Sequence, residues 1–270
     1  MSRIASLAQR VGTVLTGPLF VSLTARLAAC SLIAATCSFT ASHIARISFA
    51  ADEAAPAAKA PEWKSLFDGK TLKNWKSSEF GGEGEVAVKD GMIVMQQGSE
   101  MTGIAWTGDD LPKINYELSL QAQRIDGSDF FCGLTFPIND LPCSFIVGGW
   151  GGGVVGISSL DGLDAANNET ARYESFKQGR WYKIRLRVTD KGIMGWIDNT
   201  QVIGVETKGR KISIRPEVEL SRPLGVSCYS SVSGLKDIQV RPLTKAEAEA
   251  AITPSEPTKE EPKPAKPKDK

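Results

Sequence analysis

NYELSLQAQR, residues Asn115 to Arg124, is the stretch that decides the fold. In an extended chain successive side chains point to opposite faces, so Tyr116, Leu118, Leu120 and Ala122 share one face and polar residues the other. A helix would put these four on both sides of its axis. The stretch therefore reads as a strand with one buried face. Outward from it, WYKIRLRV (Trp181 to Val188) alternates in the same way. Glu85 to Val88 and Met92 to Met95 flank Lys89-Asp90-Gly91, a hairpin signal. Gly195 to Val205 carries Asp198-Asn199 between two apolar runs and reads as another hairpin. Gly225 to Tyr229 and Leu235 to Val240 are further short strands. No window before Lys245 has a helical period. Many short strands without helices predict an all-β fold, two antiparallel sheets packed as a sandwich.

One segment resists this simple reading. CSFIVGGWGGGVVGIS, Cys143 to Ser158, sets six glycines around Trp150. A phosphate-cradling loop would lead into a helix whose N-terminus holds the anion. Here Val154-Val155-Gly156-Ile157 follows, which is strand-like, and no Gly-Lys-Ser/Thr appears. Glycines in a strand instead mark a bulge or a close approach to the backbone. Phe145, Val147, Val155 and Ile157 would supply the core face on either side.

The ends differ from the middle. Residues 1–50 hold Arg3, Arg10, Arg26 and Arg46 and no acid. Leu27 to Ser42 is apolar or small, and Ser48-Phe49-Ala50 has the small-x-small form of a cleavage site. This predicts a secretory signal peptide over 1–50, a secreted, periplasmic or cell-envelope protein, and no stable membrane span after cleavage. A rival reading takes Leu27-Ala28-Ala29-Cys30 as a lipoprotein box, with lipid on Cys30. Residues 51–60 form a linker. From Thr244 to Lys270 the chain turns to Ala/Glu and then Pro/Lys/Glu, the composition of a disordered tail. One domain remains, residues 61–243.

Without its first 50 residues the chain has 28 basic and 31 acidic residues, a formal charge of −3. There is no basic block, so nucleic acid is not an expected partner. The single histidine, His43, lies in the leader. The mature chain therefore excludes Ser-His-Asp and Cys-His catalysis and every His-ligated zinc site. Cys132, Cys143 and Cys228 remain. Cys132 and Cys143 flank a turn at Ile138-Asn139-Asp140, so they read either as a disulfide or as two buried thiols.

LFDGKTLKNW, Leu66 to Trp75, resembles the opening signature of the 3-keto-disaccharide hydrolase domain family. Val88-Lys89-Asp90-Gly91, YELSLQAQR, Gly179-Arg180-Trp181-Tyr182-Lys183-Ile184 and Leu235-Lys236-Asp237-Ile238-Gln239-Val240 follow in the family's order. The resemblance spans roughly Glu62 to Leu243. It implies a concanavalin-like jelly roll and cleavage of glycosides oxidised at the sugar 3-position. The chain looks like a divergent member. Gly127 to Gly133 and the Gly-Trp-Gly run stand where the family carries an Asn-Ser-Gly-Ile-type segment and a Tyr-Glu-x-Gln strand.

A 3-keto group acidifies the neighbouring C–H, so cleavage by proton abstraction and elimination needs a base, an acid and an enolate stabiliser. Without histidine the base must be Asp, Glu, Tyr or Lys. Asp129, Asp161 and Glu174 are the candidate catalytic acids and bases. Trp150, with Gly149 and Gly151 beside it, is the candidate sugar-stacking site, and Arg172 a further substrate contact. Asp161, Asp164, Asn168 and Glu169 offer the hard oxygen ligands that Ca²⁺ or another divalent metal takes, in a spacing that matches no EF-hand. The expected partner is a carbohydrate, as substrate of a hydrolase or as ligand of a non-catalytic binding or cell-envelope module.

Overall fold

The computed structural model describes residues 61–255. The leader, its cleavage point, the Cys30 alternative, the linker and residues 256–270 lie outside the described residues.

The strands run in chain order from β1 (Lys64–Ser65), β2 (Trp75–Ser77), β3 (Val86–Lys89), β4 (Met92–Met95) and β5 (Met101–Trp106). They continue with β6 (Tyr116–Gly127), β7 (Cys132–Ile138), β8 (Leu141–Gly149), β9 (Val154–Ser158) and β10 (Arg172–Tyr173). The last five are β11 (Tyr182–Val188), β12 (Gly192–Ile197), β13 (Thr200–Glu206), β14 (Gly225–Tyr229) and β15 (Ser231–Pro242). They form two antiparallel sheets. The first is ordered β13-β12-β11-β6-β15-β4-β3, with β1 added to β15; the second is ordered β10-β9-β8-β7-β14-β5-β2. This is the two-sheet antiparallel sandwich expected from the alternation, with the jelly-roll form that the family resemblance implies. The hairpins fall where their turn residues put them. Asp90 and Gly91, both at positive φ, join β3 to β4, and Asp198 at φ 54° opens the turn between β12 and β13.

The core is built by register. Ile104, Val226, Leu134, Phe145 and Ile157 lie side by side across β5, β14, β7, β8 and β9. All five are buried, and they pack with Tyr116, Leu118, Leu120, Ile184 and Leu186 of the facing sheet. Each buried side chain of this size stabilises the fold by about 1.5–3 kcal/mol. The flanking rows on the opposite face of the same strands are small. One runs Gly103, Ser227, Gly133, Ile146, Gly156; the next runs Ala105, Gly225, Thr135, Ser144, Ser158. Phe80, Phe130 and Ala165 pack onto Gly103, Gly133 and Gly156, and the candidate site lies over Ser144, Ile146 and Ser158.

Cys132 and Cys143 are on neighbouring strands but are not bonded; all three described cysteines are free and buried. Cys132 stands opposite Val147 and Cys143 opposite Phe136. The offset of four residues is about 13 Å along a strand, beyond disulfide reach. Burial raises the pKa of all three thiols, that of Cys143 and Cys228 to about 12.

The first residues of the segment whose composition suggests a tail are folded. Lys245–Glu249 is a helical turn, α1, opened by a capping box in which Thr244 and Glu247 bond each other's backbone N–H. Glu247 also pairs with Arg241 at 2.6 Å and Arg187 at 3.2 Å. Beyond it, the Thr253 carbonyl accepts a hydrogen bond from Gln201 Nε2 at 2.6 Å. A Cβ on Gly204 would collide with that carbonyl, so the glycine lets the segment lie against β13.

Arg241 holds the Glu247 carboxyl at about 2, against an ordinary value of 4.5. A depressed carboxyl adds stability that is complete above its unfolded pKa and is lost as pH falls through its folded one. The difference in melting temperature between the wild-type chain and Glu247→Gln should therefore be open at pH 6 and shrink from about pH 4.5 to about pH 2. A difference that stays constant over this range would place the stabilisation elsewhere.

Candidate functional site

A cavity of about 390 Å³ opens above the small-residue face of the second sheet. Its floor is Ser144 and Ile146 of β8 with Ser158 of β9. Trp150, from the turn between β8 and β9, forms one wall. Asp129 and Phe130, just before β7, form the next, and Phe130 stacks on Tyr229 at the end of β14, ring centroids 6.1 Å apart. Glu100 and Met101 at the start of β5 close one end, and Arg215, Glu217 and Val218 close the other. The last two belong to a 3₁₀ turn, Pro216–Ser221, with proline in its first turn. An aromatic wall with a few convergent polar groups is the usual composition of a small-molecule site.

The glycine run now has its reason. Arg124 sits in phase with Tyr116, Leu118, Leu120 and Ala122, so its guanidinium points into the sandwich, where the side chain is buried. It needs acceptors. Its Nη2 donates to the Gly148 carbonyl at 3.2 Å and the Gly152 carbonyl at 2.9 Å, and its Nε to the Asp129 carbonyl at 3.1 Å. A Cβ on Gly148 would stand 2.6 Å from that guanidinium, and one on Gly152 would stand 2.8 Å from the Ser128 carbonyl. The close approach that the glycines permit is thus by the chain's own arginine. Burial lowers the Arg124 pKa, and the Asp129 charge works against that lowering.

The same turn fixes Asp129 and Trp150. The Asp129 carboxylate accepts from the Gly151 N–H at 2.8 Å and from the Phe130 N–H at 2.7 Å. Gly149 contributes its carbonyl, which accepts from the N–H groups of Gly152 and Gly153. Gly149 and Gly151 are therefore supports of the turn through their backbones. Trp150 stands between them at φ 49° with 44% of its surface exposed, in a left-handed conformation that costs energy for a non-glycine residue. Trp150→Ala should weaken binding of a sugar to this wall by about 1–3 kcal/mol while barely moving the melting temperature. A large fall in melting temperature with unchanged affinity would make the ring a structural element.

The other sequence candidates lie elsewhere. Asp161 accepts from Arg210 Nε and the Lys211 N–H, and Glu169 accepts from the other side of the same guanidinium. The Lys211 N–H and then Arg210 lower the Asp161 carboxyl pKa, and Arg210 lowers that of Glu169. Asn168 is buried, its amide donating to the carbonyls of Ile157, Leu163 and Asp164 and its oxygen accepting from Thr170. Asp164 accepts from the Ala166 N–H and faces Arg215 at 3.4 Å. The Ca²⁺ expectation is corrected here. Arginines neutralise the carboxylates, Asn168 is spent on holding the loop, and the described residues contain no acidic group arranged for a metal. Glu174 pairs with Arg172 at 3.6 Å behind the glycine turn, and neither lines the cavity. Of the three acids expected to act in catalysis, only Asp129 reaches it.

Sequence reasoning missed Glu100, Arg215, Glu217 and Tyr229. Glu100 makes no hydrogen bond or ion pair among the described residues. Glu217 is held by Arg215 at 2.6 Å, which lowers its pKa. These four come from two separate connections and the end of β14, and they carry no shared motif. Tyr229 ends a strand that was legible, and its register opposite Met101 places it on the open face.

Among solved structures, a glycosyl hydrolase family protein from Mycobacterium fortuitum is similar at 10% identity and TM-score 0.40, covering 66% of this chain and 98% of that one. A carbohydrate binding module from Bacillus subtilis is similar at 9% identity and TM-score 0.42, over 62% of this chain and 95% of that one. A Crh5 transglycosylase in complex with NAG is similar at 10% identity and TM-score 0.48, over 69% and 88%. No curated protein matches the sequence. Residues 62–241 match the model of the 3-keto-alpha-glucoside-1,2-lyase-like domain, and the chain belongs to that family.

Proposed function

We propose that the chain is an exported carbohydrate-active enzyme that cleaves 3-keto-glycosides by elimination, with Asp129 as the base. The observation that carries this reading is the pairing of Asp129 with Trp150 on the wall of one cavity, both fixed by the same glycine turn. Trp150 takes the apolar face of the sugar ring. Two backbone N–H groups hold the Asp129 carboxylate in place and leave lone pairs for substrate. In the reaction, Asp129 takes the proton from the carbon between the keto group and the anomeric centre. The C–H electron pair passes into an enolate. Its return expels the glycosidic oxygen and leaves a carbon–carbon double bond. Tyr229 is the O–H donor for the departing oxygen, and the floor hydroxyls of Ser144 and Ser158 face the sugar's polar groups. Water then adds across the double bond, and no redox change occurs.

Incubation of the mature domain with a 3-keto-glucoside tests the reading. Release of the leaving alcohol, with transient absorbance of the conjugated enone, is the expected result. A domain that binds the sugar and releases nothing is a carbohydrate-binding module. Export is checked separately, by mass spectrometry of secreted protein: a chain beginning near Ala51 is expected, and an intact N-terminus or a lipid-modified Cys30 would overturn it.

A further inference from the structure

Two connections cross from one sheet to the other beside the cavity. One, residues 128–131, leads from β6 to β7 and carries Asp129 and Phe130. The other, at Ser230, leads from β14 to β15, with Tyr229 before it and Ser231 after it. Backbone bonds clasp the two. The Ser128 N–H donates to the Ser230 carbonyl at 3.0 Å, and the Tyr229 N–H to the Phe130 carbonyl at 3.0 Å. Between these bonds, Asp129 is held by a side chain. The Ser231 hydroxyl accepts from the Asp129 N–H at 3.2 Å and donates to the Asp129 carbonyl at 2.8 Å. One hydroxyl, which can donate and accept at once, thus serves both backbone polar groups of one residue. Ser231 is fully buried and does not line the cavity, so it is out of reach of a substrate there.

We infer that Ser231 is a positioning residue: through the backbone of Asp129 it sets where that carboxylate stands on the cavity wall and how it is placed relative to Tyr229. Its part in catalysis rests on Asp129 being the base proposed above. The carboxylate is bonded by the N–H groups of Gly151 and Phe130, which fix it to the glycine turn and to its own connection. Ser231 adds the link at Asp129 itself to the strand that follows Tyr229. Without the hydroxyl, the Asp129 carbonyl keeps Arg124 Nε at 3.1 Å, but the Asp129 N–H loses its partner. The connection is then free to shift. An elimination that needs a base and an acid at set places around one substrate slows when either moves.

The test compares Ser231→Ala with Ser233→Ala. Ser233 is as deeply buried on the same strand, and its hydroxyl donates to the Phe131 carbonyl at 2.6 Å. Both variants lose a buried bond, and only the first touches Asp129. The first readout is hydrogen exchange, followed by NMR, at the N–H groups of Gly151 and Phe130. Gly151 is exposed and its N–H bonds the Asp129 carboxylate, so its protection reports whether the carboxylate is in place. Exchange at both should quicken about tenfold or more in Ser231→Ala and stay within about twofold of the wild type in Ser233→Ala. The second readout is turnover of a 3-keto-glucoside. In Ser231→Ala kcat should fall about tenfold or more while KM rises less than about threefold, because the Gly149 carbonyl still braces the Trp150 turn. In Ser233→Ala kcat should hold. A third measurement needs no variant: the Asp129 N–H of the wild type should exchange as slowly as the N–H groups inside β7. Free exchange there, or equal exchange at Gly151 and Phe130 in both variants, would overturn the inference whatever the kinetics. Quickened exchange with kcat unchanged would overturn the role in the reaction. A wild type that turns nothing over would overturn Asp129 as the base, and quickened exchange in Ser231→Ala would still uphold the grip of Ser231 on the carboxylate.

Discussion

Glu117→Ala should lower the stability of the folded domain by about 3–5 kcal/mol, the cost of removing one partner from a buried ion pair. Glu117 lies on β6 between residues of the core, yet only 1% of its side chain is exposed. Arg187 donates to its Oε2 from Nε at 3.0 Å and from Nη2 at 2.7 Å. Arg241 donates to the same oxygen at 3.0 Å, and Arg185 stands 3.4 Å from Oε1. Glu247 bonds Arg187 and Arg241 from the other side. Arg187 and Arg241 therefore share two carboxylates, and the alanine variant leaves them one and takes from Arg185 its carboxylate partner. Arg187 and Arg241 are too well covered for water to make up the loss, with side chains 16% and 9% exposed. The expected signature in urea is a lower midpoint with an unchanged slope, since the surface exposed on unfolding is the same. Glu117→Gln keeps the size and one acceptor oxygen and should fall between the two. A loss below about 1 kcal/mol would mean that the cluster behaves as an exposed salt bridge.

That cluster marks where the sequence stops being legible. The alternation of Tyr116, Leu118, Leu120 and Ala122 identifies the inner face of β6, and the inner face is where it was expected. The same pattern puts Glu117 towards solvent. Its register partners are Arg187 on β11 and Arg241 on β15, and Glu247, 130 positions along the chain, pairs with both of them. Composition around Lys245 is that of a solvated segment, and nothing in a local window shows which charges will be shared. Arg124 is the opposite case. The reading that put the polar residues of this strand on the outer face is corrected at Arg124, which lies in phase with the four core residues, is buried, and so requires buried acceptors. The glycine run supplies them, so the two oddities of the sequence explain each other. The cavity is partly legible in the same way. Trp150 between glycines and Asp129 before a strand were both marked. Glu100, Arg215 and Glu217 were not, because only the pairing of β5, β14, β7, β8 and β9 brings their connections together. The acid-rich loop from Asp161 to Glu174 was the misleading signal. A loop dense in carboxylates looks like a catalytic or metal site until Arg210 and Arg215, from another segment, are seen to be paired with Asp161, Glu169 and Asp164.

Asp129→Asn should reduce kcat on a 3-keto-glucoside by about 10²- to 10⁴-fold, the contribution of a positioned general base. The substitution separates chemistry from architecture. The Asp129 carboxylate has a structural duty, accepting the N–H groups of Gly151 and Phe130. An asparagine keeps an acceptor oxygen for one of these contacts, and the backbone carbonyl that receives Arg124 and the Ser231 hydroxyl is untouched. The turn that carries Trp150 should therefore persist, with the melting temperature close to that of the wild type. KM should change little, because the sugar still stacks on Trp150. What is lost is the basic oxygen, which the step from C–H to enolate cannot do without. Asp129→Ala is the contrasting variant. It removes the turn's anchor as well, so it should both lose activity and loosen Trp150, weakening sugar binding. Full activity in Asp129→Asn would move the base elsewhere in the cavity, and Glu100, the lining carboxylate with no partner among the described residues, would be the next group to replace. An equal loss of activity and stability in Asp129→Asn would instead mean that the carboxylate serves the glycine turn alone. The pattern that supports catalysis is a large fall in kcat with binding and stability kept, because only a group acting in the transition state gives it.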